Sequence, residues 1–383
     1  MPKQKRLFFI DNIRILLTVL VILHHVAITY GAPGGWYYQN EQTPGIASQF
    51  LLTLFVAVNQ AFFMGFFFLI AAYFTPGAYD RKGTGRFLKD RFLRLGLPLA
   101  VYIVFLHPLT LYARVVGLDA LNPSRAIPEF AKILPRFFKY IIGVGPLWFV
   151  EALLIFGLVY SGYRWLAKLR KPGFSHVGRP PTHFQVAGLA ALLGLVSFVV
   201  RIWLPIGWSL APLNLQLAFF PQYIALFVVG LVAYRYDWFS SMPEAMGRWG
   251  WVILLCTVVL FPTLFAFGGA LDGVVAPFMG GLHWQSLAYA LWEQTVGIGI
   301  IVGLIVLFRR NFNTQGRFAQ ALSRSTYTVY IIHAPVVVLL AVMMAPVGLP
   351  PLVKFVLTGT LSVGLCFLMG NIVCRLPIAR QIL

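Results

Sequence analysis

The sequence predicts an all-α integral membrane protein, a bundle of about ten transmembrane helices with both termini in the cytoplasm. Three observations carry this prediction. The 383 residues are 59% hydrophobic and only 11% charged, with a mean hydropathy of +0.81, whereas a soluble domain carries about 25% charged residues. Apolar runs of about 20 residues, the length that crosses the hydrocarbon core, recur along the whole chain. Lys and Arg fall into alternate loops, as the positive-inside rule requires.

The apolar segments lie at 8–30, 47–74, 95–116, 146–164, 184–204, 217–235, 249–267, 285–308, 326–345 and 351–374. Each is expected to be helical, because a spanning segment must satisfy its own backbone hydrogen bonds. A β-barrel would show short alternating segments in place of these continuous runs. Pro98, Pro108 and Pro262 sit near segment ends, where they permit local kinks. The N-terminal Lys3, Lys5 and Arg6 ahead of an apolar run resemble a signal peptide. The run is too long for one and contains Asp11, Arg14 and two histidines, so it reads as a retained first helix.

Arg81, Lys82, Arg86, Lys89, Arg91 and Arg94 mark the 75–94 loop. Lys168, Arg170, Lys171 and Arg179 mark 165–183, and Arg309, Arg310, Arg317 and Arg324 mark 309–325. The intervening loops 31–46, 205–216, 268–284 and 346–350 have no Lys or Arg. One loop breaks the alternation: 117–145 is expected outside yet carries Arg125, Lys132, Arg136 and Lys139. No loop exceeds about 30 residues, so residues 1–383 read as one transmembrane domain whose chemistry takes place inside the bundle.

The same placement of charge argues against nucleic-acid binding despite the formal net charge of +19. Cys256, Cys366 and Cys374 lie within or at the ends of apolar runs, without metal-ligand spacing or a readable disulfide framework. No internal repeat is visible, which weighs against a transporter of the inverted-repeat kind.

Ionisable side chains inside spanning helices are costly and point to function. In the first segment Asp11 and Arg14 are three residues apart and share a face on which they could pair. Arg14 and His25 are eleven apart, about three turns, which places them on one face about 16 Å apart along the axis. His24 points about 100° away from His25, so one of the two suits catalysis and the other support. Arg91 and Arg94, at the basic start of the third segment, offer planar multidentate donors for phosphates. Glu293 stands at a depth comparable to His25, where a carboxylate would orient the imidazole. Tyr327, Tyr330 and His333 form a polar stripe at intervals of three, with His333 expected near the depth of Arg14. Glu151, His107, Asn59 and Gln60 are further polar residues within apolar segments. Each admits a structural reading, as a topology signal or an interhelical hydrogen bond.

The stretches FIDNIRILLTVLVILHH and RFLKDRFLRLGLPL, with QAFFMGFFFLIAAYF, GPLWFV and STYTVYIIHAPVV in that order, resemble the acyltransferase-3 family of integral membrane acyltransferases. Members O-acylate extracytoplasmic glycans, and the stand-alone form here is most similar to the glucan-modifying, succinyltransferase-like branch. The resemblance implies acyl-CoA (acetyl-CoA or succinyl-CoA) as the donor, a glycan hydroxyl as the acceptor, and the bacterial inner membrane as the site. It implies Arg14 and His25 as the first-helix motif, with His25, Glu293 and Arg14 as the catalytic residues. Arg91 and Arg94, with Arg14, Tyr330 and His333, would hold the donor, and Asp11, His24, Trp148 and Glu151 would support. Other branches place a Glu five residues after a mid-chain Trp, whereas Glu151 follows Trp148 by three, so no defined role passes to it. His25 would act either as general base toward the acceptor hydroxyl or as an acyl carrier, with Glu293 orienting it. A succinyl group would need a cation near the reacting end, and Arg201 is the outer-half candidate. A transporter or flippase for a glycan, a lipid-linked intermediate or an acyl group is the alternative, and a purely structural membrane protein the third reading.

Overall fold

A computed structural model of the chain describes residues 6–121, 143–167 and 178–382. Most of the basic 117–145 segment lies outside these residues, as do Lys168, Arg170 and Lys171. All ten apolar segments are helical. The first helices are α1, Phe8–Thr29, and α2, Ile46–Arg91. Two π-helical turns, Phe92–Gly96 and Tyr102–Leu106, alternate with α3, Leu97–Val101, and α4, His107–Leu121. Next come α5, Trp148–Leu166, α6, His183–Trp203, α7, Phe220–Tyr236, and α8, Glu244–Phe267. The chain closes with α9, Trp284–Asn311, α10, Arg317–Met344, and α11, Pro351–Val373.

Among the described residues, eight helical stretches are long and apolar enough to cross a membrane. This is fewer than ten because one stretch, Ile46–Gly117, runs for 72 residues and contains two of the apolar segments. The remaining segment, 249–267, lies in α8. A straight helix would place Thr75 and Arg91 about 24 Å apart, yet Arg91 Nη2 donates to Thr75 Oγ1 at 3.2 Å. The chain reverses at Gly83, whose φ of 70° glycine adopts without a Cβ clash. A Lys82–Asp90 ion pair at 2.8 Å and a Tyr79–Thr84 hydroxyl contact at 2.7 Å clamp the reversal. The returning limb then meets Pro98, which has no N–H for the carbonyl of Arg94 four residues earlier. That carbonyl accepts from the Tyr327 hydroxyl at 2.7 Å instead, tying the limb to α10.

Helix α1 packs against α2, α9, α10 and α11, so its polar residues face protein on several sides. Polar ties join other helices where the lipid offers no partner. Arg164 on α5 donates to Asp80 on α2 at 2.8 Å, and Gln222 on α7 donates to the carbonyl of Ala61 at 2.7 Å. Arg201 on α6 donates to Glu293 on α9 at 2.5 Å, with both side chains essentially inaccessible. A fully buried guanidinium requires a counter-charge, and Glu293 supplies it.

Breaking a buried pair on one side leaves a lone charge and costs about 3–5 kcal/mol. Glu293→Leu is therefore expected to lower the thermal unfolding temperature sharply in detergent. The Arg201→Met/Glu293→Leu double variant, which removes both charges, is expected to recover most of that loss in the same assay.

Candidate active site

The sequence motif on α1 becomes a site because three rings converge on it. His25 stacks on Trp36 with centroids 3.8 Å apart and planes 14° apart. His333, from α10, lies 5.3 Å from His25 at 17°. Trp36 comes from the loop between α1 and α2, and its indole lies 6.0 Å from His333, nearly parallel to it. Three of the ring nitrogens, His25 Nδ1, Trp36 Nε1 and His333 Nε2, are buried without a hydrogen-bond partner among the described residues.

The protonation pattern of His333 follows from its other nitrogen. Its Nδ1 lies 2.6 Å from the Tyr330 carbonyl, which can only accept, so Nδ1 carries the proton and Nε2 offers a lone pair. His24 is spent differently. Its Nδ1 accepts from Asn59 Nδ2 at 3.2 Å and its ring stacks on Phe63 at 4.9 Å, so it braces α1 against α2. Beside the stack, the Tyr37 hydroxyl meets Tyr102 Oη at 2.9 Å and His107 Nδ1 at 2.6 Å. Gly145, at φ 47°, lies so close to Tyr37 that a Cβ there would collide with the hydroxyl. This explains the glycine directly before Pro146.

Several expectations change. His333 does not lie at the depth of Arg14; it reaches His25. The reason is that α10 begins at Arg317, nine residues before the apolar segment, so His333 stands 16 residues into its helix and His25 stands 17 into α1. Glu293 does not orient His25: its Oε2 accepts from Arg201 and from Gln294 Nε2, and its Oε1 has no partner among the described residues. Arg201 is accordingly not a free cation. Asp11 pairs more closely with Arg6, at 2.8 Å, than with Arg14, at 3.9 Å. The Arg14 side chain keeps 39% of its surface open.

The basic stretch also divides. Arg91 turns inward to Thr75 and to the face of Phe87, 5.0 Å from the ring centroid. Arg94 stays 57% exposed beside Asp90 at 3.2 Å. Tyr330 gives its hydroxyl to the carbonyl of Pro146, which leaves it no proton for a ligand. Trp148 stacks on Tyr223 at 5.6 Å, and Glu151, in the first turn of α5, has a buried Oε2 without a partner among the described residues. Among the described residues no group of His, Cys, Asp and Glu is arranged to hold a metal. Sequence reasoning missed Trp36 and Tyr37. Their signal was the run Gly34-Gly35-Trp36-Tyr37 in a loop free of Lys and Arg, which reads as an ordinary interfacial aromatic belt.

A family model described as an acyltransferase domain, that of the acyltransferase-3 family, matches residues 7–371. The chain belongs to this family. It is a multi-pass membrane acyltransferase, and the transporter and purely structural alternatives fall away with that membership. Curated relatives include the proteins named glucans biosynthesis protein C of Salmonella paratyphi A, Salmonella agona and Salmonella dublin. Each is 22% identical over 391 residues, covering 98% of this chain and 94% of the relative. No solved structure matches the chain.

The hydroxyl of Tyr330 serves the fold in this geometry. Tyr330→Phe is expected to lower the unfolding temperature by the equivalent of about 1–2 kcal/mol, the cost of a stranded buried carbonyl, and to leave the KM for the acyl donor unchanged. A raised KM would return Tyr330 to the donor site.

Proposed function

We propose that the protein transfers an acetyl or succinyl group from acyl-CoA to a hydroxyl of an extracytoplasmic glycan, across the bacterial cytoplasmic membrane. The termini and the basic loops lie on the cytoplasmic side, where the donor binds. The single observation that carries this reading is the division of α1 into two ends. Arg14 is partly open near the basic end, and His25 lies about 16 Å further along the axis, within a partly buried ring stack. That separation is on the order of the length of a phosphopantetheine arm. A nucleotide held at the basic end by Arg94, with Arg14 along the arm, would deliver its thioester to His25.

The names of the relatives, glucans biosynthesis protein C, favour a glucan as the acceptor. Arg201, occupied by Glu293, gives no support to succinyl over acetyl. His25 takes the proton from the attacking hydroxyl, or first accepts the acyl group and passes it on. A second reading rests on a specific observation: the Tyr330 carbonyl fixes the tautomer of His333 and leaves Nε2 as a lone-pair acceptor. This is the arrangement a general base needs, so His333 is the other candidate for that role.

The test uses purified protein in proteoliposomes, radiolabelled acyl-CoA and a periplasmic glucan, with mass spectrometry of the product. His25→Ala is expected to reduce transfer by about 10²–10⁴-fold without loss of the folded protein. Undiminished transfer in that variant would remove His25 from the chemistry. Arg94→Ala is expected to raise the KM for acyl-CoA, by a factor that shrinks at higher salt because the exposed Arg94 contact is screened there in the wild type, while kcat holds; an unchanged KM would place the nucleotide elsewhere.

A further inference from the structure

Acyl transfer to a hydroxyl needs two polar services at one point. A lone pair must take the hydroxyl proton, and a donor must steady the oxygen that becomes negative as the thioester carbonyl turns tetrahedral. Resting on the function proposed above, the ring stack supplies both. The three buried, unpartnered ring nitrogens are not equivalent. His333 Nε2 can only accept, because Nδ1 holds the proton against the Tyr330 carbonyl. His25 Nδ1 can serve either way, according to tautomer. An indole nitrogen can only donate. Trp36 is thus the one member of the stack that cannot act as a base and must be a donor. Its N–H is nonetheless buried with nothing to bond among the described residues, although buried N–H groups are almost always paired.

The backbone context supports a placed donor rather than a stray aromatic. Trp36 stacks on His25 at 3.8 Å, and the next residue is anchored through its hydroxyl to Tyr102 and His107. Gly145 is pressed against that same hydroxyl. Tyr37 therefore holds the loop down while Trp36 faces the imidazole. Trp36 and His25 are each only partly buried as residues, while their unpartnered nitrogens are covered.

We propose that Trp36 is a catalytic residue whose indole N–H donates to the carbonyl oxygen of the acyl thioester, forming the oxyanion site for transfer at His25. The acceptor O–H attacks the thioester carbon, a C–O bond forms, and the hydroxyl proton passes to an imidazole lone pair. The carbonyl π electrons move onto oxygen, where the Trp36 N–H stabilises them. Collapse restores the carbonyl and breaks the C–S bond. The thiolate leaves with the imidazolium proton as free thiol, so one ester and one thiol replace one alcohol and one thioester.

The experiment compares Trp36→Phe with replacement of Trp36 by benzothienylalanine, which keeps the bicyclic shape and puts sulfur in place of N–H. His25→Ala serves as the reference. Both Trp36 replacements are expected to lower kcat by about 10²–10³-fold, the loss typical of one oxyanion donor, with KM for acyl-CoA and unfolding temperature unchanged. Wild-type kcat in the sulfur analogue, with His25→Ala inactive, would overturn the proposal and leave Trp36 a packing residue while the site reading stands. Full activity in His25→Ala would overturn the site reading itself.

Discussion

Inside a bilayer no water is available to finish a hydrogen bond, and the organisation of this protein follows from that constraint. A charged group drawn into the bundle is costly unless it finds a partner, and here the partner often comes from another helix. Arg201 therefore takes Glu293, Arg164 takes Asp80, and Tyr330 takes the carbonyl of Pro146. The carbonyl freed by Pro98 takes the hydroxyl of Tyr327. These ties decide which helices are neighbours, because the surrounding lipid is as apolar as the helix surfaces and offers little other preference.

Against that background, one cluster of unpaired groups stands out. His25, Trp36 and His333 bring buried ring nitrogens without partners among the described residues to a single stack. His24, one residue away, is bonded to Asn59 and packed on Phe63. Of two adjacent histidines, one is thus tied into the packing and the other keeps an unpartnered ring nitrogen among the described residues. Glu293 is tied in as well. Its carboxylate answers an arginine, since a guanidinium in a dry interior binds a carboxylate far more strongly than a neutral imidazole does.

Much of the fold was legible along the chain. The ten apolar runs became helices because run length and backbone self-sufficiency are local properties. The Arg14–His25 spacing translated directly into axial distance because both lie on one straight helix. Less legible was anything that depended on where a helix begins. Hydropathy began the ninth apolar segment at residue 326, whereas the helix that holds it, α10, has polar first turns and starts at Arg317, and that offset moved His333 by more than two turns to meet His25. Trp36 and Tyr37 were hidden for a related reason: a loop has no periodicity from which a direction can be read.

The sequence by itself determined membrane residence, the helical class, the crowding of positive charge into alternate loops, and the two-ended character of the first helix. Composition, run length and the 3.6-residue repeat act within single segments and need no knowledge of neighbours. The tertiary structure decided the partners: that Glu293 serves Arg201, that Arg91 folds inward while Arg94 stays out, and that an indole from the loop after the first helix lies on His25. Pairing in a dry interior is a competition among all the side chains brought within reach. The outcome of that competition exists only once the helices have been laid against one another.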